Sequence, residues 1–128
     1  MDEAQPAIAA LAQVALTVHD LPRAVAFYRD RLCLPLLFEA PPRMAFFRCG
    51  EVRLMLATPE SDSTTGNSVL YYRVTAIEQA AAALVARDVQ AVGKPHVVAR
   101  LPRADVWMAF FRDSEDNLFA LTEEIATH

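Results

Sequence analysis

An α+β domain built from two tandem βαβββ modules is what the 128-residue chain predicts, and three observations carry that reading. The pentapeptide MAFFR stands at 44–48 and again at 108–112. A repeat within so short a chain points to duplication, which decides the whole fold and is tested before anything else. The runs around each copy follow the same order of strand and helix patterns, and the one linker-like stretch, STTGNS at 63–68, falls between them. The modules are expected at about 10–60 and about 67–124 within a single domain, 1–128.

Taken in order, LAQVALTV (11–18) alternates apolar and polar residues with β-branched side chains and reads as a strand. DLPRAVAFYRDRL (20–32) is a helix, since Leu21, Val25, Tyr28 and Leu32 recur on one face. Asp20 suits its N-cap, and Pro22 is tolerated in a first turn whose N–H groups have no helical partner. LPLLFEA (34–40) is a second strand ended by Pro41-Pro42, and MAFFRCGEVRLMLAT (44–58) a hairpin turning at Cys49-Gly50. The second half repeats the pattern. SVLYYRV (68–74) is a strand, AIEQAAAALVAR (76–87) a helix with Ile77, Ala81 and Leu84 on one face, and AVGKPHVVARL (91–101) a strand in which Pro95 marks an edge or a start. DVWMAFFRDSEDNLFALTEE (105–124) closes as a hairpin. Superposing the halves pairs Gln13 with Val69, Met44 with Met108, and Met55 with Ala120 after one extra residue in the second hairpin turn.

Composition narrows the partners. With 54% hydrophobic and 22% charged residues the chain is globular rather than disordered. A net charge of −4 speaks against nucleic acid and anionic membrane, which favour clustered Lys and Arg. No apolar run approaches the roughly 20 residues of a membrane helix, and the acidic start MDEAQPAIAA has no basic signal region. Cys33 and Cys49 fit neither a disulfide framework nor a zinc motif and read as free thiols in a reducing, cytoplasmic setting. Three glycines exclude a phosphate-cradling Gly-rich loop, and no Ser-His-Asp or paired-carboxylate motif occurs.

The duplicated βαβββ order, the stretch VALTVHDLPRAVAFYRDRLCLPLLF and the stretch MAFFRDSEDNLFALTEE resemble the vicinal oxygen chelate superfamily. That superfamily includes glyoxalase I, bleomycin-resistance proteins, epimerases and extradiol dioxygenases. The likeness lies in the pattern V-x-D-x-x-x-x-x-x-F-Y, met at Val18, Asp20, Phe27 and Tyr28, and in the D-P-x-G-N turn. Here Ser114 and Asp116 replace the Pro and Gly of that turn, and Cys33 replaces the usual Gly after the first helix. The resemblance covers 11–124 and implies a cupped eight-stranded mixed sheet, helices on its outer face and the ligand in the cup. Metal-using members place one ligand on the first and last strand of each module. The matching positions hold Gln13, Met55, Val69 and Ala120. Val69 and Ala120 have no donor atom and the Met55 thioether suits hard or borderline cations poorly, so no metal site of the usual kind is expected.

Residues sharing parity with those four positions should face the cup: Gln13, Ala15 and Thr17; Arg53, Met55 and Ala57; Val69, Tyr71 and Arg73; Leu118, Ala120 and Thr122. Placing Arg53 opposite Phe46 across a Cys49-Gly50 turn adds Met44, Phe46 and Arg48, and the repeat adds Met108, Phe110 and Arg112. The opposite parity (Leu16, Val18, Leu54, Leu56, Tyr72 and Leu121) belongs under the helices, and Trp107 with it. Taken singly, Met44, Phe46, Met55 and Phe110 also fit core positions; their shared parity marks a lining. An apolar, aromatic cup rimmed by Arg suits a small organic ligand carrying a carboxylate or phosphate. Among the three histidines, His96 shares a strand face with Arg100 in a segment without counterpart in the first module, which offers an acid/base group beside an anion-binding one. A purely structural His96 is the competing reading, because no second catalytic partner is visible.

Two functions follow. The first is a metal-free, cofactor-free binding protein for a small aromatic or anionic compound, lined by Gln13, Phe46, Arg48, Met55, Val69, Tyr71, Arg100, Phe110 and Ala120. The second is a lyase, epimerase or dioxygenase of the same superfamily, using a divalent metal through atypical ligands or His96 as acid/base without one. A homodimer is expected by the same resemblance.

Overall fold

The computed structural model describes residues 5–7, 9–59 and 67–127; His128 and most of the 63–68 linker lie outside them. The first module runs β1 (Gln13–Thr17), α1 (Leu21–Ala26), β2 (Leu36–Ala40), β3 (Met44–Cys49) and β4 (Val52–Ala57). The second runs β5 (Leu70–Arg73), α2 (Ile77–Ala86), β6 (Gln90–Arg100), β7 (Ala104–Arg112) and β8 (Leu118–Ala126). Every expected element is present. The first helix changes character at Phe27, where a π-helical turn, Phe27–Arg31, continues α1 and Leu32 N–H reaches back to the Phe27 carbonyl. The turn ends at Cys33, whose φ of +59° is the left-handed geometry usually given to glycine.

The eight strands divide by hydrogen bonding into two four-stranded sheets, ordered β1-β4-β3-β2 and β5-β8-β7-β6. In each, the first strand lies parallel to the last, and the other pairings are antiparallel. The registers bear out the superposition of the halves. Met55 stands between Ala15 and Phe46, and Ala120 stands between Tyr71 and Phe110. Face assignment holds as well: Leu16, Val18, Leu54, Leu56 and Leu121 are buried under the helices with Leu21, Val25, Tyr28, Ile77, Ala81 and Leu84, while Tyr72 and Trp107 pack against that core. Each large apolar side chain so buried is worth roughly 1.5–3 kcal/mol, which fixes strand register because a one-residue slip would expose the whole set.

Two local expectations change. The first hairpin turns at Gly50-Glu51, not Cys49-Gly50, because Cys49 still pairs with Val52 and the positive φ such a tight turn requires falls on Gly50, at +62°. Arg53 therefore lies opposite Arg48, and Phe46 opposite Met55. In β6 the register slips between Val92 and His96 and again between Val97 and Ala99. The first slip accommodates Gly93 at φ +92° and Pro95, on an edge strand where a missing N–H is tolerated.

The modules are tied together through the second hairpin turn. Asp113 is buried and its carboxylate accepts from the Tyr28 hydroxyl at 2.7 Å, from the Glu115 and Asn117 backbone N–H groups and from the Asn117 amide. Glu115 accepts from His19 and Asp20 N–H at 2.8 and 2.9 Å, serving α1 from across the module boundary beside the N-cap bond that Asp20 itself makes. Asn67 brackets Thr17 by accepting its N–H and donating to its carbonyl. Ser114 and Asp116, which break the D-P-x-G-N pattern, thus sit in the segment that holds the two halves in place. No helix among the described residues is long and apolar enough to cross a membrane.

Candidate functional site

The strand faces turned away from the helices carry the candidate ligand residues, and the structure gathers them into two clusters. On the first sheet Phe46 is stacked on Phe38, with ring centroids 4.5 Å apart and planes at 26°. Arg53 places its guanidinium 5.4 Å from the Phe46 ring and donates to the Gln13 side-chain oxygen at 2.9 Å. Gln13 in turn directs its amide to the Met55 sulfur at 3.9 Å. Phe38 was missed in the sequence, although its place on β2 opposite Phe46 could have been read once the sheet order was known. Arg48 lies exposed at the end of this row.

On the second sheet the Tyr71 and Phe110 rings meet edge to face at 6.3 Å over the fully buried Ala120. His96 continues the row, its ring 6.3 Å from Phe110. Its Nδ1 contacts the Lys94 carbonyl at 2.9 Å. A carbonyl only accepts, so in this contact the ring donates through Nδ1. Val69 precedes this sheet, half-buried.

Arg100 does not join His96. The slip between Val97 and Ala99 sets Ala99 beside Val106 and Arg100 beside Asp105, on the strand face opposite to the His96–Met108 pair. Arg100 is instead paired with Asp105 at 3.0 Å. Arg112 likewise turns to the Asp116 carbonyl and carboxylate. Among the described residues, no ring contact or hydrogen bond joins the two clusters.

At Gln13, Met55, Val69 and Ala120, the four positions the resemblance marks for metal ligands, the donor set is one amide oxygen and one thioether. That oxygen already accepts from Arg53. No group of three or more His, Cys, Asp or Glu gathers among the described residues. These residues do not fit a divalent cation, which seeks several oxygen or imidazole donors.

The profile of the Glyoxalase/Bleomycin resistance protein/Dioxygenase superfamily matches residues 10–121. No curated protein matches. Among solved structures, a lactoylglutathione lyase from Agrobacterium tumefaciens is 23% identical, with 91% of this chain and 94% of that one covered and a TM-score of 0.70. An integron cassette protein from the mobile metagenome of V. cholerae is 19% identical, covering 93% and 98%, with a TM-score of 0.76. TnmS3, an antibiotic binding protein from Streptomyces sp. CB03234, is 22% identical, covering 94% and 99%, with a TM-score of 0.74. At these identities the solved structures speak for the shared fold, and the profile, which spans nearly the whole chain, speaks for descent. The chain belongs to the Glyoxalase/Bleomycin resistance protein/Dioxygenase superfamily.

Proposed function

We propose that the chain binds a small aromatic or anionic organic molecule on its two aromatic strand faces, without a metal ion. The observation that carries this reading is the exposure of those rings: Tyr71 is 52% and Phe38 48% accessible, although Phe38 stacks on Phe46 and Tyr71 meets Phe110 edge to face. Exposed rings already held by an aromatic neighbour offer a planar ligand apolar area and π contact, and Arg53 and Arg48 on the first sheet favour a carboxylate. The occupied Gln13 oxygen supports the metal-free form. In this reading a second copy of the chain brings the two clusters opposite one another in a cytosolic homodimer, which light scattering tests directly.

Calorimetric titration with benzoate and 2-naphthoate tests the ligand class. Saturable binding that Phe46→Ala and Phe110→Ala each weaken by about tenfold supports it. Binding that survives both substitutions refutes it. Metal analysis after incubation with Ni, Zn, Fe(II) and Mn separates the readings, since one retained metal per chain would overturn the metal-free form. The alternative is an enzyme of the same superfamily in which His96 accepts a proton; its support is the place of the His96 ring beside Phe110, in one row with Tyr71. Turnover lost in His96→Ala with binding retained would favour that alternative.

A further inference from the structure

A cleft of about 950 Å³ opens between the modules on the helix side of the sheets, beside β1 and β5, each the outermost strand of its sheet. Val14 and Leu54 of the first sheet, Leu70, Tyr72 and Phe119 of the second, and Leu84 of α2 form its apolar walls. None of Gln13, Met55, Val69, Ala120, Phe46 and Phe110 lines it. Around β5 the cleft shares Tyr71 with the second aromatic face and also reaches Arg73, but it is otherwise distinct from the aromatic faces.

Its charge is one-sided. The charged side chains lining it are Arg31, Arg73 and Arg87, with no Asp or Glu, in a chain with 16 acidic and 12 basic residues. Arg31 stacks on Phe27 at 5.9 Å and donates to a carbonyl, that of Asp88, at 3.3 Å, so its charge is not matched. Arg73 and Arg87 are exposed and make no ion pair among the described residues. Unneutralised guanidinium groups around an apolar cleft of ligand size are complementary to an amphipathic anion.

We propose that this cleft is a second binding site, one that takes an alkyl carboxylate. The hydrocarbon lies against the Val14, Leu54, Tyr72, Leu84 and Phe119 walls, and the carboxylate sits among Arg31, Arg73 and Arg87. The assignment rests on the apolar lining and the charge, and stands whether or not the aromatic faces bind the ligand proposed for them.

The test is calorimetric titration of the full chain with decanoate below its micellar concentration, with 1-decanol as the uncharged comparison. The expected result is one decanoate per chain, bound about tenfold more tightly than 1-decanol, and a loss of that preference in Arg31→Gln/Arg87→Gln. A second variant, Ala83→Phe, fills the cleft from α2 and is expected to abolish binding of both; thermal melts confirm that each variant folds. Phe46→Ala/Phe110→Ala leaves decanoate binding unchanged if the sites are separate. No saturable decanoate binding, equal affinity for decanoate and 1-decanol, or loss of decanoate in the Phe46/Phe110 variant would each overturn the proposal. So would a change of oligomeric state in ligand-free Ala83→Phe, which would make the cleft an interface between copies.

Discussion

Two tyrosines with buried hydroxyl groups make opposite predictions on losing them. Tyr28 is 2% accessible and donates to Asp113 at 2.7 Å. Tyr28→Phe keeps the ring and removes a hydrogen bond to a carboxylate, worth roughly 1.5–3 kcal/mol. Asp113 keeps three other donors, which places the loss near the middle of that range, about 2 kcal/mol. The Tyr72 hydroxyl is buried and has no partner. Tyr72→Phe relieves an unsatisfied group, with an expected gain of about 1 kcal/mol. A chain of 128 residues unfolds with an entropy of about 0.27 kcal/mol/K, so the expected shifts in Tm are about −7 °C for Tyr28→Phe and about +4 °C for Tyr72→Phe. Differential scanning calorimetry at neutral pH reads both, and urea titration gives the matching free energies. A drop for Tyr72→Phe equal to that for Tyr28→Phe would show that the Tyr72 hydroxyl has a partner in solution, and the hydrogen-bond reasoning would fail.

The same residues set an alkaline limit. Burial first, then the neighbouring charges, hold the Tyr28 and Tyr72 phenols well above their usual pKa of 10.0. The folded state keeps both protons where the unfolded chain loses them, so stability is unaffected by them below pH ~10 and falls above it by about 1.4 kcal/mol per pH unit for each phenol. Urea titrations between pH 9 and 11 should show stability falling with pH, less steeply in Tyr72→Phe by one phenol's share; a flat profile would contradict it. At Cys33, held at φ +59°, glycine removes left-handed strain, and Cys33→Gly should raise stability by about 0.5–1 kcal/mol in thermal melts; a lower Tm would show that its side chain contributes more than the strain costs. The two thiols should differ in reactivity, because Cys33 is exposed while Cys49 is half-buried and burial pushes its pKa up. Ellman's reagent at pH 8 should titrate one thiol quickly and one slowly, and Cys33→Ala should remove the fast phase; a fast phase surviving in that variant would reverse the assignment.

Much of the fold could be read in the chain because hydrophobic period and duplication agree. Leu21 and Val25 on α1, Tyr28 on the π-helical turn that continues it, and Leu54 and Leu56 on β4 are buried where their spacing placed them. The equivalence of Met55 with Ala120 follows from MAFFR together with one extra residue in the second hairpin turn, and the registers bear it out. Less of the candidate site could be read. Whether a turn begins at Cys49 or Gly50 depends on backbone geometry that two adjacent residue types do not distinguish, and a slip of one position moved Arg53 from Phe46 to Arg48. Arg100 was set beside His96 by simple alternation, which fails once a strand bulges, and bulges leave little mark in sequence beyond Gly93 and Pro95. The links made by Asp113, Glu115 and Asn67 join residues 50 to 96 positions apart, a separation that no local pattern encodes.

Those links bear on how the chain acquires its structure. The N–H groups of His19 and Asp20 wait for a carboxylate made 96 and 95 residues later, so during synthesis the first helix leaves the ribosome long before its docking partner exists. Formation of the native state must close that long loop, an entropic barrier that slows folding relative to a chain of local contacts. Duplication therefore has not produced two independent folding units: the first half expressed alone, 1–66, should lack a cooperative melt, and adding the second half in trans should restore one. A sharp melt for the isolated half would show that ancestry as a repeat still confers autonomy.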